Sequence, residues 1–191
     1  MDISKAIASP ELGYVEFDYT PTAWDFHFNG KFVYGKPSDL IHVTFEEQTF
    51  YLDEMRFHTP SEHKIKGEPY DGEIQLIHRN DRGEKMAISI LFWEGSRLAS
   101  FDLLKTKIPR KVGSRNHLVG FDLRTLLPRK KQYYRYSGSF TNPPCKEGLT
   151  WVVMRQAIQL SGHQIDQLTL AQGKNNRPTQ KLGSRVPLRS R

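Results

Sequence analysis

The residues Met55-Arg56-Phe57-His58-Thr59-Pro60-Ser61-Glu62-His63, continued over 64–80 as KIKGEPYDGEIQLIHRN, decide the fold of this chain. They read as two β-strands and a turn, because the side chains of a strand point to opposite faces in alternation. Arg56 and His58 therefore share one face of the first strand, and Glu73, Gln75 and Ile77 share one face of the second. Polar groups from both strands are set to meet in one pocket. His78 falls on the opposite face from Gln75 and reads as a hydrogen-bonded core histidine, while His63, beside Glu62, reads as structural.

Working outward, Val15–Tyr19, Trp24–Phe28, Phe32–Tyr34, Leu40–Phe45 and Thr49–Phe57 read as strands, with Asn29-Gly30 as a tight hairpin turn. Met86–Trp93 is a nearly continuous apolar run, the mark of a central strand buried on both faces. Phe101–Leu104 reads as a short helix, Ile108–Arg115 as a basic loop, and Gln132–Ser137 and Trp151–Met154 as strands. Ser161 caps a helix with Gln164 at the capping-box position, Gly173 stops it, and Pro143-Pro144 is a candidate cis peptide. The expectation is one mainly β (α+β) domain over residues 1–191. It has a central twisted, mostly antiparallel sheet and a few short surface helices, and its basic tail at about 181–191 reads as solvated and frayed.

The 191 residues carry a formal net charge of +7, which favours acidic partners such as nucleic acid, sulfated glycans or acidic proteins. A single cysteine, Cys145, excludes an intramolecular disulfide. Met1–Pro10 is too short and polar for an export signal, and no run approaches the roughly 20 apolar residues of a spanning helix. The expected compartment is cytoplasmic or organellar.

Three blocks, Phe57–His63, Glu73–His78 and Tyr136–Gly148, with Trp151 after them, together resemble the signature of the α-class carbonic anhydrases. The resemblance implies an α-carbonic anhydrase-like fold. It also implies a pocket where three histidines hold zinc, two of them one residue apart on one strand and the third on the neighbouring strand. Here those places are Arg56, His58 and Gln75. By the same resemblance Lys31 stands where the family often has a proton-shuttling histidine. Thr141 stands beside the zinc-bound hydroxide with Glu62 accepting its hydroxyl proton, and Glu73, Ile77, Phe140 and Asn142 complete the pocket. In secreted bacterial-type members a cysteine at the place of Cys145 pairs with one near the amino terminus. Asp2-Ile3-Ser4 is similar to the residues after the family's Gln-Ser-Pro motif, so the amino-terminal segment reads as missing; Asn175–Gln180 is similar to the family's tail motif. The changes at Arg56 and Gln75 also resemble those of the acatalytic carbonic anhydrase-related proteins, which implies a role in binding other proteins.

The chemistry of the three places explains the importance of the changes. A catalytic zinc takes neutral nitrogen donors at about 2.0–2.1 Å and keeps one position for water. Arginine stays protonated and repels a dication, and a glutamine oxygen with one histidine makes a poor zinc site. The expectation is therefore no cofactor, zinc included. Arg56 needs an acceptor, for which Glu73 is the nearest candidate by spacing, with Gln75 beside it. A variant of this reading joins Arg56 and Lys31 as a site for bicarbonate, phosphate or sulfate. The function expected first is a catalytically silent carbonic anhydrase-like domain, no enzyme, serving as a protein-interaction module or as a subunit of a larger assembly. One alternative is a polyanion binder for glycosaminoglycan or nucleic acid, through Pro109–Arg115 and Arg129–Lys131. The other is a carbonate dehydratase with an atypical metal or none.

Overall fold

The computed structural model describes residues 2–3 and 5–191. Ser4, part of the Asp2-Ile3-Ser4 reading, lies outside the described residues, as does Met1. In chain order the first strands are β1 (Ile7–Ala8), β2 (Glu16–Asp18), β3 (Thr22–Phe28), β4 (Val33–Pro37), β5 (His42–Phe45) and β6 (Gln48–His58). A short hairpin of β7 (Lys64–Ile65) and β8 (Glu68–Pro69) leads to β9 (Gly72–Arg79) and β10 (Lys85–Glu94). After helix α1 (Ala99–Lys105) come β11 (Arg115–Phe121), a 3-10 turn at Leu123–Leu126, β12 (Tyr133–Ser139), β13 (Glu147–Met154) and β14 (Ile158–Leu160). Helix α2 (Gly162–Gln172) and β15 (Leu188–Arg189) end the chain.

The main sheet has the order β1-β15-β12-β13-β10-β9-β6-β4-β3-β11, with β14 on β10 and the pair β2 and β5 on β6. Most neighbours are antiparallel; β10 runs parallel to β13 and β14, and β1 to β15. The continuous apolar run of β10 follows from its place between two cores. Met86, Ile88, Ile90 and Phe92 face the larger one, with Trp24, Phe26, Phe57 and Phe101; Ala87 and Leu91 face a smaller one, with Ile77, Tyr136 and Trp151. The candidate site lies on the smaller-core face.

Both helices pack on the larger core through Phe101, Leu104, Leu168 and Ala171. The capping box of Ser161 and Gln164 is present, and Gly173, at φ 70°, closes α2. The buried Gln164 side chain also serves α1, whose first residue has no cap of its own: its Oε1 accepts from Leu98 N (3.1 Å), and its Nε2 donates to Leu98 O (2.7 Å) and Asp102 Oδ1 (2.8 Å). Pro143-Pro144 is cis, as is Thr59-Pro60. No helix among the described residues is long and apolar enough to cross a membrane.

Two local expectations are corrected, and one strand is new. The connection from β3 to β4 spans residues 29–32 rather than two, because Asn29 Oδ1 accepts from Lys31 N (2.9 Å) and Phe32 N (3.0 Å) and rounds the chain into a wider turn. The basic tail is not frayed at its end: β15 pairs with β1 and β12, and Ser190 Oγ accepts from Tyr133 N at 2.9 Å. The strand β11 escapes a period-two reading because its register shifts between Leu118 and Phe121.

Candidate active site

Strands β6 and β9 carry the site, and a bulge sets their register. Leu52 faces His78, yet Glu54 faces Ile77, so Asp53 is an extra residue; from there Arg56 pairs with Gln75 and His58 with Glu73. The bulge thus puts the guanidinium and the amide side by side. It leaves Glu54, Arg56 and His58 on one face of β6, since residues two apart along a strand point the same way.

Arg56 is held by three hydrogen bonds and two aromatic rings. Its Nε donates to Glu54 Oε1 at 2.7 Å, its Nη2 also donates to Glu54 Oε1, and its Nη1 donates to Asn142 Oδ1 at 2.8 Å. The guanidinium lies 4.9 Å from the ring centre of Phe32 and 5.9 Å from that of Phe140, an arrangement in which the aromatic faces favour the cation. A guanidinium has five N–H groups, so these bonds leave two for other acceptors. The expected partner, Glu73, is corrected to Glu54. Glu73 sits opposite His58, one pair further along the ladder, whereas Glu54 is the same-face neighbour on Arg56's own strand.

Glu73 is instead the centre of a buried network. Its Oε1 accepts from His63 Nδ1 (2.7 Å), Ser89 Oγ (2.8 Å) and Gln75 Nε2 (3.0 Å), and its Oε2 from the backbone N–H groups of Glu62 (2.9 Å) and His63 (3.0 Å). Burial alone would push this carboxyl up, but the charge and hydrogen bonds of His63 outweigh it and hold Glu73 well below the usual carboxylate range. The far nitrogen of His63, Nε2, meets Tyr136 Oη at 2.6 Å. Burial first, and the Glu73 charge next, hold the Tyr136 phenol protonated far above its ordinary range. Gln75 bridges two carboxylates, its Nε2 donating to Glu62 Oε2 (2.7 Å) as well as to Glu73. Glu62 Oε1 accepts from Arg177 N at 2.9 Å.

His58 stands apart from this network. The residue is 3% exposed, and neither Nδ1 nor Nε2 has a hydrogen-bond partner among the described residues. Glu62 Oε1 lies 3.7 Å from Nδ1, within reach of charge but too far for a hydrogen bond. These residues do not make a zinc donor set. His58 alone offers a nitrogen lone pair, the Gln75 amide nitrogen is committed to two carboxylates, and Arg56 brings a fixed positive charge. Among the described residues no group of three His, Cys, Asp or Glu is placed to hold a metal ion.

The remaining expected residues divide between two cavities. Arg56, Ile77 and Phe140 line one of about 430 Å³, with Asn142 bonded to Arg56 at its edge. Glu62 and Thr141 line another of about 210 Å³, with His63 and Tyr136. Two placements are corrected. Among the described residues no hydrogen bond joins Thr141 to Glu62, whose carboxylate accepts from Gln75 and Arg177. Lys31 is exposed in the β3–β4 turn and lines neither cavity. His78, as expected, is a core histidine held by Tyr19 Oη at 2.7 Å. Sequence reasoning missed Glu54 and Phe32. The Glu54-x-Arg56 spacing, which puts both side chains on one face of a single strand, is the signal for the pair; the placing of Phe32 depends on the turn. Asn175 fixes that turn and the end of β6, donating to Lys31 O (3.2 Å) and Phe57 O (3.1 Å) and accepting from Thr59 N (3.0 Å).

The family model for eukaryotic-type carbonic anhydrases matches residues 1–190. The chain belongs to the carbonic anhydrase family. A carbonic anhydrase of Neisseria gonorrhoeae is 31% identical over 180 residues, 93% of this chain and 71% of that protein. One from Klebsiella pneumoniae is 35% identical over 146 residues, 75% and 59% of the two chains. The chain thus spans 59 to 71% of the length of these relatives. The α-carbonic anhydrase of Thermovibrio ammonificans, solved with the inhibitor sulfanilamide, superposes with a TM-score of 0.94 at 30% identity, covering 98% of this chain and 84% of that one. Dioscorin complexed with ascorbate superposes with a TM-score of 0.91 at 28% identity, covering 97% and 81%.

These relatives overturn the expectation of a catalytically silent, non-enzymatic interaction module: proteins named carbonic anhydrase match it over most of its length. The physical reason lies in the step from ligands to turnover. Losing two histidines removes a metal's donors, but it leaves a buried imidazole, a fixed cation and an apolar wall.

Proposed function

We propose that the chain acts on carbon dioxide and bicarbonate, and that it does so without a zinc ion at Arg56, His58 and Gln75. The observation that carries the reading is the buried, uncommitted imidazole of His58, two residues along one strand face from a guanidinium that keeps two N–H groups free. In hydration, a water beside His58 gives its proton to the imidazole as its oxygen bonds to the carbon of carbon dioxide. One C=O pair moves onto oxygen, and the new carboxylate is met by Arg56. The proton then leaves His58 for solvent, past the Glu62 carboxylate 3.7 Å from its Nδ1. Ile77 and Phe140 give the uncharged substrate an apolar wall. The relatives named carbonic anhydrase support the reaction class. General-base catalysis contributes roughly 10²–10⁴-fold, so the rate falls well below that of an enzyme with metal-activated water.

The test is exchange of ¹⁸O between carbon dioxide and water in the presence of a strong zinc chelator. Exchange above a heat-treated blank, surviving the chelator and lost in His58→Asn, is expected. No exchange above the blank, or exchange that rises only with added zinc, would overturn the proposal.

A further inference from the structure

We infer that the cavity over Arg56 binds a small dianionic oxyanion of the phosphate class, as the free ion or as the head of a small phosphoester. Four cations, Lys36, Arg56, Arg79 and Lys85, line it with two carboxylates, Asp53 and Glu54. Both carboxylates are already committed. Asp53 is held between Arg79 (3.2 Å) and Lys85 (2.7 Å), and Glu54 takes two N–H groups of Arg56. Lys36 is exposed and has no ion-pair partner among the described residues, and Arg56 keeps its two spare donors.

The lining therefore carries an excess of two positive charges that no ion pair among the described residues neutralises. A dianion balances it; bicarbonate, with one charge, does not. Guanidinium and ammonium groups arranged around one space suit the several acceptor oxygens of a tetrahedral ion. At about 430 Å³ the cavity is also of small-molecule size, much larger than a bicarbonate needs, and Ile77 and Phe140 offer apolar surface to an organic remainder. Binding here does not depend on turnover at His58. It adds to the proposed reaction only that phosphate should compete with bicarbonate at Arg56.

Calorimetric titration of the full chain with inorganic phosphate and, separately, with phenyl phosphate tests this in a low-salt, phosphate-free buffer. Saturable binding of at least one probe is expected, weakened about tenfold by Lys36→Gln. That variant should melt at the native temperature, because the exposed Lys36 side chain makes no hydrogen bond or ion pair among the described residues. Phenyl phosphate binding about tenfold tighter identifies the phosphoester as the ligand, and equal binding identifies the free ion. Failure of both probes to bind, or an affinity unchanged by Lys36→Gln, would overturn the assignment. Phosphate binding without ¹⁸O exchange would sink the hydration reading and leave this one standing.

Discussion

Replacing Glu54 by glutamine removes the counter-ion of Arg56 while keeping the shape of the side chain. The Arg56 and Glu54 side chains are 11% and 17% exposed, so the guanidinium loses its charge partner in a largely dehydrated place. Breaking a fully buried pair from one side costs about 3–5 kcal/mol, and here Asn142 and the open cavity reduce the cost to roughly 2–3 kcal/mol. For a domain of this size that is a drop of roughly 4–12 °C in melting temperature. The coupling itself follows from a double-mutant cycle with Arg56→Met, read by urea denaturation, and should be about 2 kcal/mol. A second cycle pairing Arg56→Met with Glu73→Gln should give a clearly smaller coupling, because the Glu73 carboxylate is spent on His63, Ser89 and Gln75. A Glu54 coupling under about 0.5 kcal/mol, or a larger one with Glu73, would refute the pairing described for Arg56.

Two further outcomes are open to measurement. Burial pushes the His78 imidazole down to about 3, so the unfolded chain takes up a proton there that the folded chain refuses. Stability should be full above about pH 6.5 and fall as the pH drops from there toward 3, by up to ~5 kcal/mol from this group, and denaturation midpoints that stay flat between pH 7 and 4 would contradict it. Arg56→His combined with Gln75→His supplies three nitrogen donors at the family's three places, so metal analysis should find about one zinc per chain in this variant and none held by the native pocket; a native chain that keeps a zinc on His58 would refute the donor argument.

Much of the fold could be read from residues alone. The period of β9 and the unbroken apolar run of β10 follow from burial on both faces, and the cap at Ser161 follows from local hydrogen bonding. The site was legible as a set of positions but not as a set of contacts. The Asp53 bulge changes which residues face each other across β6 and β9 without any residue that must bulge, so register had to be seen. The seat of Phe32 beside Arg56 depends on an Asn29 side chain widening its turn, and on Asn175, 118 residues from Phe57 along the chain, stitching that turn to β6. The pairing of β15 with β12 likewise arises from contacts far apart in sequence.

The positive charge in the Arg56 pocket is covalently part of the chain. It arrives with folding, in a fixed amount per molecule, and it can be neither stripped by a chelator nor lost to dilution. The charge on Arg56 is indifferent to how much trace metal its surroundings supply.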